Sequence, residues 1–395
     1  MSSIAKIALP LLAAAGSAYG QRNSCSVSAT STIQNGGDAT AIAACETFTG
    51  NIVIATSVAE PIAINGVQVL KGHLISTNNS AIGSISADSL EEIQGELHLE
   101  ENTALNVLNF PQLKTVQSVR WKGLPKLNNL GFGGPLTKAD SVSIENTDLL
   151  TLDGLDLEEV DSMFIANNKL INSIVMQLEK VGGSLSIVDN SPDVEVSFPR
   201  LTNAKELIFR NCSSVELPSL ESTNDSFIFV GNNFESFSAP NLTEVGGALS
   251  FVSNTELSNV TFPALETVGQ NLELANNTKL QQIEGFPKLK TIEGALDFNG
   301  NISSIDMPAF EGVEGAFNIQ STNDISKPCS EVFDEIKDKG RIKGKYVCEG
   351  EVETPGGEGT DPQKSGNNEK KQGAASSMQV QGSVLLAGLA AFFLF

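Results

Sequence analysis

A repeat of about 22 residues runs through most of this 395-residue chain. The clearest copy begins at Leu242 and reads LTEVGGALSFVSN, and similar copies begin at Leu90, Leu265 and Leu289. One copy is too short to bury a hydrophobic core by itself, so neighbouring copies must cover each other. The repeat therefore predicts a stack of coils rather than a globular domain with a single central core.

A column of small polar residues fixes the register of these copies. It is found five residues after the first apolar residue of each predicted strand, and its members can hydrogen-bond between successive coils. Cys212 falls in this column, so we expect it to be buried; a reactive thiol is the alternative. The column consists of Asn79, Asn102, Leu124, Thr147, Asn168, Asn190, Cys212, Asn232, Asn254, Asn277, Asn301 and Thr322.

Apolar residues alternate with polar ones just before this column, which is typical of a short strand with two inward side chains. Two more apolar segments follow in each copy, the last of them after a recurrent Pro-x-Leu or Pro-x-Phe. Three short sides per copy predict a mainly all-β fold. We expect a right-handed parallel β-helix, or leucine-rich-repeat-like solenoid, of about 12 coils over residues 67–328.

Both ends of such a stack need a cap, and paired cysteines stand at each end. Residues 21–66 form the predicted N-terminal cap, with a helix at 38–44 and a strand at 50–54. Residues 329–348 form the C-terminal cap, with a helix that places Val332, Phe333 and Ile336 on one face. The economical disulfide pairing is Cys25–Cys45 and Cys329–Cys348, each worth ~3 kcal/mol in the chain-entropy model.

The two termini carry the signals of a secreted, lipid-anchored protein. Residues 1–20 combine Lys6, a short apolar stretch and small residues, as in a cleaved signal peptide. At the other end, small residues near Gly373 precede a polar spacer and an apolar tail, which is the order of a GPI-attachment signal. We predict attachment at Gly373, with residues 365–368 as the alternative region. Residues 374–395 are then removed, and 349–373 form a disordered stalk.

Composition and sequons agree with an extracellular location and argue against nucleic acid as a partner. The formal net charge is −22, which repels phosphate backbones. Seven Asn-x-Ser/Thr sequons are present, and we expect Asn301 to stay unmodified because it falls in the polar column. The predicted N-glycosylation sites are Asn78, Asn211, Asn224, Asn241, Asn259 and Asn276.

These features resemble those of a known family. The repeats, the segment CETFTGNIVI from Cys45 to Ile54, both terminal signals and the length are similar to fungal GPI-anchored cell-wall-organisation proteins with receptor L-domain-like repeats. This is the extracellular-mutant/sporulation-specific family, and the resemblance covers nearly the whole chain. It implies a cell-surface role in wall integrity and morphogenesis. It brings no established catalytic motif.

An enzymatic function is an alternative, because parallel β-helices also include pectin-cleaving glycosidases. Asn146-Thr147-Asp148 and Arg341-Ile342-Lys343 match two of their segments, but the Asp-Asp pair is missing and Gly72-His73-Leu74 is out of order. Glycoside hydrolysis needs two facing carboxylates, which the sequence does not identify. His73 and His98 lack further ligands at matched spacing. We therefore predict no enzymatic activity, no catalytic or metal site and no cofactor.

One surface stands out as a candidate binding site. The outward positions of the main strand are polar in the early and late coils but apolar in the middle ones, and an apolar cluster on a wet face suggests a partner. The alternative is that β-branched residues simply favour strands. The middle patch, as we call this cluster, consists of Phe164, Val188, Ile208, Ile228, Val230 and Val252.

Three functions are compatible with the sequence. The leading hypothesis is a non-enzymatic wall-organisation protein, held by its GPI lipid on the outer leaflet of the plasma membrane or transferred from there to the cell wall. It binds wall glucan, chitin or wall-building proteins through the solenoid face. A β-helix enzyme acting on wall polysaccharide and a ligand-binding surface receptor are the alternatives.

Overall fold

The structure, a computed structural model, describes residues 25–356. Within them the chain forms a parallel β-solenoid of about 13 turns spaced about 22 residues apart, which confirms the predicted fold class. The predicted signal peptide, the Gly373 attachment site and the removed tail lie outside the described residues. No helix among residues 25–356 is long and apolar enough to cross a membrane.

Most strands belong to one large parallel sheet that covers two adjoining sides of the coils. Its members are β1 Ser26–Ile33, β2 Thr47–Ile54, β4 Val69–Lys71, β5 Leu74–Thr77, β7 Glu92–Glu100, β9 Thr115–Leu124, β10 Ser141–Thr147, β11 Glu159–Val160, β12 Ser162–Ala166, β14 Lys180–Val188, β16 Asn203–Arg210, β18 Ser222–Thr223, β19 Phe227–Val230, β21 Glu244–Val245, β22 Leu249–Val252, β24 Thr267–Val268, β25 Leu272–Ala275, β27 Thr291–Ile292, β28 Leu296–Gly300, β30 Gly312–Val313, β31 Phe317–Ser321 and β32 Tyr346–Glu349.

The remaining strands form short parallel sheets on the third side, and four short helical segments lie near the ends. The strands are β3 Ile62–Ala63, β6 Ser84–Ser86, β8 Val107–Asn109, β13 Ser173–Val175, β15 Glu195–Ser197, β17 Ser214–Glu216, β20 Ser236–Ser238, β23 Asn259–Thr261, β26 Gln282–Ile283 and β29 Ser304–Ile305. The helical segments are α1 Gly36–Ala41, α2 Ser326–Pro328, a π-helical turn Cys329–Phe333 and α3 Asp334–Asp338.

The polar column is a buried hydrogen-bond ladder. Asn254 Nδ2 donates to Asn277 Oδ1 at 3.2 Å and to the Phe229 carbonyl at 3.2 Å, while Asn254 Oδ1 accepts the Asn232 N–H at 2.9 Å. Each amide thus satisfies backbone groups of neighbouring coils that water cannot reach. Leu124 interrupts the ladder, because its side chain packs in the core without a donor.

The prediction is wrong for the last two members of the column. Asn301 is only half-buried and Thr322 is exposed, whereas the first ten members are buried. The reason is that β28 runs one residue further than β25, and Gly300 takes φ 153° instead of the left-handed turn. Asn323, one residue later than predicted, then donates to Asn301 Oδ1 at 2.7 Å.

The residue just before the ladder turns the chain out of the sheet. In ten successive coils it has φ between 51° and 67°, the left-handed region that disfavours side chains with a Cβ. Asparagine, aspartate and glycine fill most of these positions, as expected for that conformation. The ten are Asn78, Glu101, Gly123, Asn146, Asn167, Asp189, Asn211, Gly231, Ser253 and Asn276.

One disulfide lies near each end of the described residues. Cys25 is bonded to Cys45 and Cys329 to Cys348, with Cα atoms 5.4 and 5.8 Å apart. Strands β1 and β2 already belong to the large sheet, and β32 extends it beyond Cys329. The sheet therefore continues through both segments predicted as caps.

The C-terminal helical segments close the last coil through one buried ring. Phe333 packs on Phe317, with ring centroids 4.9 Å apart, and on Phe310 at 6.3 Å. Ile336 packs partly against the core, but Val332 is 38% exposed, so the predicted three-residue apolar face does not form. The π-helical turn explains this, because it changes the angle between successive side chains.

Candidate functional site

The outward face of the large sheet consists of two columns of side chains that follow the solenoid axis. Strand pairing places one member of each column on every coil, about 4.8 Å from the next. The first column is Ile75, His98, Arg120, Ser143, Phe164, Ser186, Ile208, Ile228, Ser250, Glu273, Asp297 and Asn318. The second is Thr77, Glu100, Lys122, Glu145, Ala166, Val188, Arg210, Val230, Val252, Ala275, Asn299 and Gln320.

The early coils present charged groups that are paired with each other. His98 Nε2 lies 2.9 Å from Glu100 Oε2, and its Nδ1 lies 3.5 Å from Glu96 Oε2. His73 is exposed, and its Nδ1 accepts the Glu96 N–H at 2.9 Å. No group of three or more potential metal ligands assembles within residues 25–356.

The middle patch lies on the outward face, and polar residues divide it. Ile228 is buried at 8% exposure, and the other five members are half-buried. Ser186 separates Phe164 from Ile208 in the first column, and Arg210 separates Val188 from Val230 in the second. Arg210 Nε lies 3.4 Å from Asp189 Oδ1 at the border of the face. The patch is therefore interrupted by polar residues rather than one continuous apolar surface.

The late coils carry two carboxyl groups side by side, which we call the acidic pair, Glu273 and Asp297. They are partners on adjacent strands β25 and β28. Glu273 Oε2 accepts a hydrogen bond from Ser250 Oγ, and Asp297 Oδ1 accepts from Asn318 Nδ2 at 2.7 Å and Asn299 Nδ2 at 3.3 Å. Burial raises the pKa of both carboxyl groups above the ordinary range. Hydrogen bonds oppose this rise in both, and the charge of Asp297 adds to it for Glu273.

The repeat predicts polar outward positions in the late coils, but the pairing of Glu273 with Asp297 was not predicted from it. The signal was present, because both hold the first position after the first inward residue in consecutive copies. A surface groove of about 340 Å³ is lined by other residues: Thr137, Asp156, Glu158, Gln177 and Arg200. The acidic pair therefore lies outside that groove.

The glycosidase-like segments are not brought together as a site. Thr147 is buried in the ladder and donates to Asn168 Oδ1 at 2.7 Å. Arg341 is in the C-terminal region, where its Nη1 lies 2.9 Å from Glu311 Oε2. Neither contacts the acidic pair through a hydrogen bond or ion pair in the described residues.

Cys212 occupies the ladder position and takes over part of the asparagine role. Its N–H donates to Asn232 Oδ1 at 2.9 Å, and its Sγ lies 4.0 Å from the Ile187 carbonyl. The side chain is fully buried and unbonded to another cysteine. Burial raises the pKa of the thiol to about 12, so the reactive thiolate is scarce at neutral pH.

The sequon asparagines border the outward face but do not occupy its columns. Asn78, Asn211 and Asn276 sit in the left-handed turns just beyond the second column. Asn224, Asn241 and Asn259 are exposed elsewhere, and Asn241 Nδ2 donates to the Pro218 carbonyl at 2.9 Å. Asn301 lies outside the ladder, so the reason for expecting it to be unmodified no longer applies.

Comparison with known proteins gives a consistent set of relatives. A family model described as "Ecm33: GPI-anchored cell wall organization protein" matches residues 2–43. A cell surface GPI-anchored protein of Arthroderma benhamiae is 36% identical over 95% of this chain and 94% of its own length. Protein ecm33 of Aspergillus fumigatus is 35% identical over 89% and 87%. Sporulation-specific protein 2 of Saccharomyces cerevisiae is 31% identical over 80% and 63%. No solved structure matches the chain.

Proposed function

Because the chain belongs to the Ecm33 family of fungal GPI-anchored cell-surface proteins, we propose that it organises the cell wall by binding, without catalysis, through its outward sheet face. A role at the cell surface in wall organisation follows from the family. The lipid is attached at Gly373, on a stalk that follows the solenoid. The predicted start of this stalk at residue 349 is wrong, because Glu349 ends β32 and the N–H groups of Val352 and Gly356 donate to Ser321 and Gln320 of β31. Residues 374–395 are removed when the lipid is transferred.

The middle patch carries this proposal. Aliphatic side chains on an outward sheet face favour contact with another apolar surface over contact with water. Sugar rings usually pack against aromatic rings, and the patch contains a single aromatic residue, Phe164. The chemistry of the patch therefore favours a wall-building protein over wall glucan or chitin as its partner.

Charge substitutions on the patch test the proposal. Ile208→Asp with Val230→Asp places two carboxylates on half-buried outward positions without touching the inward core. We expect wall proteins that co-purify with the parent protein from detergent extracts to be lost from this variant. Val175→Asp is the matched control, since Val175 is 59% exposed on the third side. If both variants keep the same partners, the patch is not the binding surface.

The acidic pair supports a second candidate, a carbohydrate-active enzyme. Two carboxyl groups with raised pKa values on adjacent strands are the type of group that acts in glycoside hydrolysis. Assays of the purified protein on β-glucan, chitin and pectin test this, with Glu273→Gln and Asp297→Asn as variants. Turnover that both variants lose would establish the enzyme; no turnover of the three polymers would support binding alone.

A further inference from the structure

Strand β1 ends the large sheet and presents a long, uncharged edge. Its eight residues, Ser26–Ile33, contain no Lys, Arg, Asp, Glu or Pro. Among the described residues it pairs only with β2. Natural sheets usually protect such edges with charges, prolines, bulges or a covering segment, because a bare edge templates another strand. Here the register shift between Ser26 and Thr30 is one such device, and Thr30 to Ile33 remain in regular register.

The hydrogen bonds show which backbone groups this edge offers. The Cys25 carbonyl accepts the Thr49 N–H at 2.9 Å, and the Ile33 carbonyl accepts the Ala55 N–H at 2.9 Å. Backbone groups alternate in direction along a regular strand, so Ser31 and Ile33 turn towards β2. The N–H and C=O groups of Thr30 and Thr32 therefore point away from it, and the side chains of Ser26, Ser28, Thr30 and Thr32 are exposed.

The opposite edge of the same sheet carries two of these protective features, a short strand and nearby charges. Strand β32 has four residues, ends in Glu349 and is preceded by Lys343 and Lys345. The segment after it crosses back over its neighbour. The Val352 N–H donates to the Ser321 carbonyl at 2.9 Å, and the Gly356 N–H donates to Gln320 Oε1 at 3.2 Å.

We propose that the β1 edge binds the β1 edge of a second copy of this chain. The two strands run antiparallel across a two-fold axis, so identical uncharged side chains meet without like-charge repulsion. A contact between identical edges related by a two-fold axis closes as a head-to-head dimer instead of growing into a filament. The predicted cleavage after Gly20 leaves four residues before Cys25, against the eight residues of β1. This surface is separate from the middle patch.

Thr30→Pro tests the edge without disturbing the β1–β2 ladder, because the Thr30 N–H points outward. The probe is the complete anchored protein, released from cells by a phosphatidylinositol-specific phospholipase, deglycosylated and sized by light scattering. We expect a dimer for the parent and a dissociation constant raised about tenfold or more by Thr30→Pro. Ser28→Lys, which adds like charges across the axis, should have the same effect. Ser57→Lys, with the same charge change on the exposed loop after β2, should remain dimeric.

Amide hydrogen exchange gives a second readout that is independent of mass. In the dimer, the amides of Thr30 and Thr32 should be protected, and protection should fall on dilution. A monomer at every concentration, with fast exchange at these amides, would overturn the proposal. A different protein bound to β1 would also overturn it, as would a dimer that Thr30→Pro and Ser28→Lys leave intact.

Discussion

At the residue scale, the buried ladder explains why asparagine recurs in most coils. Asn232 is 1% exposed, and its amide satisfies the Cys212 N–H, the Phe209 carbonyl and Asn254 Oδ1. Asn232→Ala leaves these groups buried without partners, which we expect to cost about 3 kcal/mol of unfolding free energy. Urea denaturation of the variant measures this loss. Asn233→Ala, an exposed neighbour outside the ladder, should change stability by less than about 0.5 kcal/mol.

Cys212 offers the converse test of the same ladder. An asparagine there can donate to the Ile187 carbonyl, where Sγ now makes only a 4.0 Å contact. We expect Cys212→Asn to raise the unfolding free energy by about 1 kcal/mol, and Cys212→Ala to lower it. Denaturation of the two variants side by side checks the order. A less stable Asn variant would mean that the site cannot hold the larger amide.

The acidic pair predicts a pH dependence whose sign follows from the raised pKa values. The folded chain holds these protons more tightly than the unfolded chain, so stability is lost as pH rises from the ordinary carboxyl range through the folded-state pKa values. Glu273→Gln with Asp297→Asn should abolish that part of the loss. Denaturation midpoints measured across the acidic to neutral range test this. Glu266→Gln is the control. A hydrogen bond and ion pair to Lys290 lower the pKa of Glu266, so its contribution to stability is lost as the pH falls rather than as it rises.

The ladder also shows how far single residues could be assigned from the sequence. Ten of its positions, including the irregular Cys212, followed from spacing alone. Asn301 and Thr322 did not, because the extended φ of Gly300 shifts the turn by one residue, and spacing does not encode backbone angles. The acidic pair was missed for a different reason: its pairing depends on strand register, which places residues 24 positions apart next to each other.

At the scale of the element, the left-handed turn before the ladder controls each strand end. Ser253 has φ 56° and still donates its N–H to the Ala275 carbonyl at 2.9 Å. Ser253→Gly removes the Cβ clash and keeps this bond, so we expect the unfolding free energy to rise by about 1 kcal/mol. Thr255→Gly, exposed and outside the positive-φ positions, should instead lower it. Thermal unfolding of the pair distinguishes turn strain from a general effect of glycine.

The short strands themselves were predictable, but the corners between them were less so. Period-two alternation located the main strands because two inward residues per coil must meet the core. The bend inside the large sheet depends on close approach: a Cβ at Gly269 would lie 2.3 Å from the Gly246 carbonyl oxygen. In the sequence, a glycine at this position is typical of an ordinary turn. The sequence therefore did not predict that two sides of each coil belong to one sheet.

At the scale of the whole molecule, three sequon asparagines border the outward face but leave its columns free. A glycan can be placed on the face itself by substitution. Ile208→Asn with Arg210→Thr creates a sequon in the middle patch, so a bulky glycan would stand on the face. If the face binds a wall partner, this variant should fail to restore resistance to wall-binding dyes and glucan-directed drugs in a deletion strain.

Two controls separate blocking of the face from a general effect of an added glycan. Glu195→Asn creates a sequon with Ser197 on the third side, and Arg210→Thr alone removes a charge without adding a sequon. Both should restore resistance, and endoglycosidase mobility shifts verify that each new site is occupied. Restoration by the occupied face variant would show that wall organisation does not depend on this surface. Failure of all three would point to folding, because only one of them blocks the face.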